Sequence, residues 1–148
     1  MNVKVTDETL PKRNKQLSSI SQLKLAWANY QWDAKGKYVS GREYTKNQEE
    51  FCMRVAETND LALLRWVREE KECAWDWRTG GMAAMLGNLE MLKYCYENGC
   101  EVHAGTCVSA FEFGHLECLQ YLRQKNVEWD HRTLQKAGTI LELYFCRC

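Results

Sequence analysis

Gly87-Asn-Leu-Glu-Met-Leu-Lys-Tyr-Cys-Tyr-Glu-Asn-Gly-Cys100 returns as Gly114-His-Leu-Glu-Cys-Leu-Gln-Tyr-Leu-Arg-Gln-Lys-Asn-Val127. This self-similarity constrains the fold more than any other feature. A unit this short cannot bury its own apolar face and has to stack on copies of itself. Several markers hold the register. Thr79, Thr106 and Thr133 are spaced by 27 residues, as are Ala83, Ala110 and Ala137 and the pairs Trp75-Asp76, Val102-His103 and Trp129-Asp130. Leu61, Leu89 and Leu116 are spaced by 28 and then 27, and the extra residue falls within Val67-Arg-Glu-Glu-Lys-Glu-Cys73.

Each unit has a physical reading. Thr79 and Thr106 stand before a short segment and can accept a bond from its free N–H groups, which predicts a helix N-cap at each. The segment is rich in small residues (Ala83, Ala84, Ala110), so two helices can approach closely there. Gly87 and Gly114 supply the left-handed backbone that stops a helix and turns the chain. In the second segment the apolar positions, counted from Leu89 or Leu116, are one, three, four, six and seven. At about 100° per residue they cover an arc of roughly 220°. Glu90 with Lys93, and Glu117 with Gln120, fill the remainder. An arc this wide fits a helix wedged between its partner and neighbouring units. The expected fold is all-α, a helix-turn-helix repeat solenoid with a degenerate N-terminal cap and a single C-terminal helix.

Outside the strict register the chain is less regular. Residues 1–16 are polar and read as a flexible arm. Residues 17–33, with Leu17, Ile20, Leu23, Leu25 and Trp27, read as a degenerate N-terminal repeat offering one apolar helix face. Residues 34–48 carry four basic and one acidic side chain and read as a basic loop. Tyr38 and Tyr44 in it could accompany those cations on a phosphate, but a solvated linker is the plainer reading. Residues 49–148 hold the repeats. After Thr133 the turn glycine is replaced by Leu141, so one terminal helix is expected there.

With 20 Lys+Arg and 20 Asp+Glu in 148 residues the chain has no net charge, which argues against nucleic acid as its partner. Residues 1–48 hold nine basic and four acidic side chains (+5), leaving eleven and sixteen (−5) for the rest. No run approaches the ~18 apolar residues of a membrane span, and Met1 to Leu10 has no signal-peptide core. An intracellular, cytoplasmic protein with no membrane partner is expected. Its eight cysteines are therefore read as reduced thiols.

The string Thr-x-x-x-Ala-(Ala)-x-x-Gly-(Asn/His)-Leu-Glu-x-Leu-(Lys/Gln)-Tyr resembles the ankyrin repeat. Its length of about 27 residues and its Gly-Cys-x-(Val/Trp)-(His/Asp) ending are similar to the short ankyrin-like repeats of protists, algae and large DNA viruses. The resemblance covers roughly Phe51 to Ala137. It departs from the family in lacking the helix-one proline (Gly80, Cys107 and Leu134 stand there), in Phe111 for the second alanine, and in Asn59-Asp60 for the turn glycine pair. The resemblance implies protein recognition without catalysis.

Candidate contact residues follow from the repeat. Trp75, Trp77 and Trp129 fall in the inter-repeat loops with Arg78, His103, His131 and Arg132, and Trp and Arg are favoured interface anchors. Met85, Leu86 and Phe113, just before the turns, form a second patch on the inner helices. Trp66 occupies a position on the apolar arc. The alternative is a metal- or thiol-based regulatory module using the Cys/His cluster 95–118, with Cys100, His103, Cys107, His115 and Cys118 as ligands. Each of these sits at a routine repeat position. Cys146-Arg-Cys148 reads as an incidental tail. No nucleophile elbow, triad or phosphate-cradling glycine loop is present, so no enzyme activity and no cofactor are expected.

Overall fold

The computed structural model describes residues 19–29, 48–129 and 135. The chain divides into two compact units, Met1–Trp75 and Asp76–Cys148. Every regular element among the described residues is an α-helix; they contain no strand.

The first unit contains α1 (Ile20–Asn29), α2 (Gln48–Ala56) and α3 (Leu61–Lys71), with α2 and α1 both packed on α3. The single apolar face expected of α1 narrows to Leu23, which is fully buried, and Trp27, whose ring meets Phe51 edge-on at 5.4 Å. Ile20 is 41% and Leu25 65% exposed. The reason is angular: Leu25 lies two residues from both Leu23 and Trp27, about 200° around the helix from each. Gln48, expected in the basic loop, opens α2; residues 34–47 lie outside the described residues. Its side chain accepts from the Ala74 N–H at 2.8 Å, and its carbonyl accepts from the Cys73 thiol at 3.3 Å.

The described residues 76–129 of the second unit form two helical hairpins. α4 (Trp77–Met85) turns into α5 (Leu89–Glu97), and α6 (Ala104–Glu112) turns into α7 (Leu116–Gln124). α4 packs on α6 and α5 on α7. Ala83, Ala84 and Ala110 are fully buried, as small residues at a close helix contact should be. Met91, Leu92, Tyr94 and Cys95 on α5 are buried, as are Cys118, Leu119, Tyr121 and Leu122 on α7, so the inward arc follows the sequence periodicity. Full burial of each leucine contributes about 1.5–3 kcal/mol. Leu89 and Leu116 are half-buried at the edge of the arc. So is Trp66, which is not a core residue; Lys71 Nζ lies 5.3 Å from its ring centre.

The repeat is written in the backbone. Asn59, Gly87 and Gly114 have φ of 60°, 70° and 75°; Glu72, Gly99 and Asn126 have 49°, 79° and 55°. Each hairpin thus reverses on one left-handed residue and leaves its second helix on another. The second reversal is closed by Cys100 N–H to Cys95 O (2.9 Å) and Val127 N–H to Leu122 O (3.1 Å). In the first unit the matching bond, Cys73 N–H to Val67 O, spans six residues instead of five. The one-residue insertion is absorbed at the end of α3.

One expectation fails. Thr79 and Thr106 are not N-caps. α4 is capped by Asp76, whose carboxylate accepts from the Arg78 N–H at 2.9 Å, and α6 by His103, whose Nδ1 accepts from the Gly105 N–H at 3.0 Å. The helices begin a turn earlier, and both threonines lie inside them, fully buried. Their hydroxyls have no partner among the described residues.

Candidate functional site

α4 is the element that positions the candidate contact residues of the second unit. Trp77 is its first residue, not a loop residue as the spacing suggested, and 43% of it is exposed. Its indole is held on one side by the His103 ring, with centroids 4.9 Å apart and a 43° tilt. Neutral His103 accepts at Nδ1, so Nε2 carries the proton and is a donor. Gly105 allows this placement, because a Cβ there would stand 2.8 Å from His103 Cε1. The segment from Cys100 to His103 lies along α4: a Cβ on Gly80 would meet Val102 Cγ2 at 3.4 Å and Cys100 Sγ at 3.7 Å. The Cys100 thiol donates to the Asp76 carbonyl at 3.2 Å. Arg78 is engaged by Asp76, Nε to Oδ2 at 2.8 Å.

The other contact candidates separate into distinct places. Met85 closes α4 and Leu86 caps it, both half-buried, roughly 12 Å from Trp77 at 1.5 Å per residue. Phe113, the counterpart of Leu86 on α6, is 56% exposed. Trp75 belongs to the first unit, where the Arg68 guanidinium lies 4.0 Å over its ring and donates to the Cys73 carbonyl. Trp129 is half-buried in the segment after α7. His131 and Arg132 lie outside the described residues, as do Cys146 and Cys148. The structure therefore brings together Trp77, Arg78 and His103 at one end of α4, and Met85 and Leu86 at the other.

The metal ligand set is not assembled. His103 sits at the N-terminal end of α4, while His115 sits at its C-terminal end, with Nε2 3.0 Å from the Met85 carbonyl. Ligands on one zinc stand about 2.0–2.3 Å from it, so two groups at opposite ends of a nine-residue helix cannot share a coordination sphere. Cys107 and Cys118 are buried, and burial pushes each thiol up to about 11, far from the thiolate a metal takes. No group of three or more His, Cys, Asp or Glu among the described residues is placed to hold a metal ion.

Two features went unread in the sequence. His115 locks onto the preceding hairpin: a Cβ at Gly87 would stand 2.4 Å from its ring. Glu101 and Glu128 are exposed, 27 residues apart, and without an ion-pair partner among the described residues. Their equal spacing was visible; their freedom from partners was not. No described helix is long and apolar enough to cross a membrane. Comparison of the chain with family models, with curated proteins and with solved structures gives no match in any of the three.

Proposed function

We propose that this chain is a short ankyrin-like helical repeat array, a helix-turn-helix solenoid, and that it binds another protein. The array reading is supported by the paired left-handed positions, which recur at the sequence period in all three hairpins. The binding reading rests on one observation above all: Trp77 packs on the His103 ring yet is 43% exposed, at the margin of a hairpin whose other large apolar groups are half-buried or buried. A rigid, partly exposed tryptophan contributes contact area at low entropic cost, which is why the residue is favoured as an interface anchor. The partner would meet the edge formed by the start of α4 and the Cys100–His103 segment. Phe113, at the far end of the hairpins, gives a second and smaller contact.

Affinity capture with the whole chain, followed by mass spectrometry, tests this. The expected result is a protein recovered by the wild type and lost with Trp77→Ala, while the thermal midpoint of the variant stays within a few degrees. Recovery that is indifferent to both Trp77→Ala and Phe113→Ala would overturn the reading, as would small-molecule turnover with no protein partner.

A further inference from the structure

The chemistry of the edge specifies what kind of segment it takes. The Cys100–Val102 segment and residues 127–129 occupy the same place in consecutive hairpins, each leaving a left-handed residue, Gly99 or Asn126. The ends of α5 and α7 are close together, since Lys125 Nζ lies 5.7 Å from the ring centre of Tyr96 and 5.5 Å from that of Tyr121. These two segments are therefore adjacent rungs, separated by one helix-to-helix distance of about 8–10 Å. Each rung carries an exposed glutamate, Glu101 on one and Glu128 on the other, and neither has an ion-pair partner among the described residues. Trp77, 43% exposed, packs on the His103 ring, two residues along the chain from Glu101. Among the described residues Arg78 is engaged by Asp76, and Lys125 by the two tyrosine rings.

We propose that this edge docks an extended basic segment of a partner protein, with lysine or arginine side chains three residues apart. An extended chain advances about 3.3 Å per residue, so three residues cover about 10 Å and match the step between rungs. One basic side chain would pair with Glu101 and lie against Trp77, where the ring face attracts a cation; the next would pair with Glu128. The inference rests on the reading of this edge as a protein-binding surface and adds the chemistry of its occupant.

The test uses the full chain and three fluorescein-tagged nonapeptides: Gly-Ser-Lys repeated three times, the same composition with the lysines contiguous, and the first sequence with glutamate for lysine. The spaced-lysine peptide is expected to bind about threefold or more tightly than the contiguous one, and the glutamate peptide not at all. Glu101→Gln and Glu128→Gln should each weaken the spaced peptide by about two- to fivefold, the range for exposed ion pairs, and added salt should do the same. Both glutamates are exposed, so circular dichroism and thermal midpoints should be unchanged in the variants. Equal affinity for the spaced and contiguous peptides, no binding of the spaced one, or indifference to both substitutions would overturn the inference. A captured partner that depends on Trp77 but binds through an acidic or neutral segment would sink this inference and leave the proposed function standing; capture independent of Trp77 would remove both.

Discussion

The hairpins α4–α5 and α6–α7 share a backbone and differ in how they are capped. In the first, Asp76 and Asn88 cap their own helices, the second through Asn88 Oδ1 accepting from the Met91 N–H at 2.9 Å. In the second, both cap positions are histidines. His103 caps α6 and also lies against Trp77; His115 makes no cap bond on α7 and reaches back to the Met85 carbonyl instead. The two imidazoles thus grip the two ends of α4. The shared backbone sets where each helix starts and stops, while the cap positions decide whether a hairpin satisfies itself or is tied to its predecessor.

The largest effects should show where the hairpins agree. Leu92 and Leu119 are equivalent and fully buried, so Leu92→Ala and Leu119→Ala should each cost about 3 kcal/mol in urea unfolding, within the usual range for a leucine cavity. A difference above about 1.5 kcal/mol between them would break the equivalence of the two packings. The turn glycines should separate next. Gly114 has φ of +75° and, among the described residues, open space about it, so Gly114→Ala should cost the left-handed strain of about 1 kcal/mol. Gly87, at +70°, lies under His115, and Gly87→Ala should cost about 2 kcal/mol, because the ring must also move.

These contrasts mark what the sequence carries. The inward arc of α5 and α7 and the turns at Gly87 and Gly114 depend on neighbours within one unit, and periodicity reveals them. At Thr79 the cap is ambiguous because aspartate and threonine, both good cap residues, lie three positions apart; at Thr106 the cap three positions earlier is a histidine, which is not among the favoured cap residues, so only the actual start of the helix identifies it. The same ambiguity hides Trp77, the first residue of α4, among what the spacing reads as loop residues. The roles of His103 and His115 depend on contacts 26 and 30 residues away. A metal cluster and a pair of helix clamps have the same one-dimensional spacing, and only the length of α4 tells them apart.

The thiols give a contrast of intermediate size. Cys107 and Cys118 belong to the second hairpin; Gly80 and Met91 hold the equivalent places in the first. Burial raises both thiols from 9.0 to about 11, with Glu117 adding to the rise at Cys118. A thiol raised on folding stabilises the native state at pH values below its unfolded value and loses that contribution as pH climbs through the folded one. Stability should therefore fall between about pH 9 and 11, by on the order of 2 kcal/mol for each thiol. Amide exchange should open α6 and α7 before α4 and α5 in that window. Cys118→Met with Cys107→Ala should flatten the profile; an unchanged slope would assign the alkaline loss to other groups.

The smallest change should be the most informative. His115→Asn gives the second hairpin the cap of the first: α7 gains a side-chain acceptor for its free N–H groups, worth about 1 kcal/mol, and the bond to the Met85 carbonyl, worth a similar amount, is lost. The net change in unfolding free energy should lie within about 0.5 kcal/mol of zero. The coupling with Gly87 should not vanish with it. With asparagine at 115 the ring atoms Nδ1 and Cε1 that crowd the turn are gone, so Gly87→Ala should fall from about 2 toward about 1 kcal/mol, the cost of Gly114→Ala in the wild type. That equality is what a histidine clamp requires, because the extra cost at Gly87 comes from the ring above it and not from the turn itself. If Gly87→Ala costs the same in both backgrounds, His115 is not what distinguishes the two turns, and the second hairpin is held to the first by His103 on Trp77 and by the buried contacts of α4 with α6 and α5 with α7.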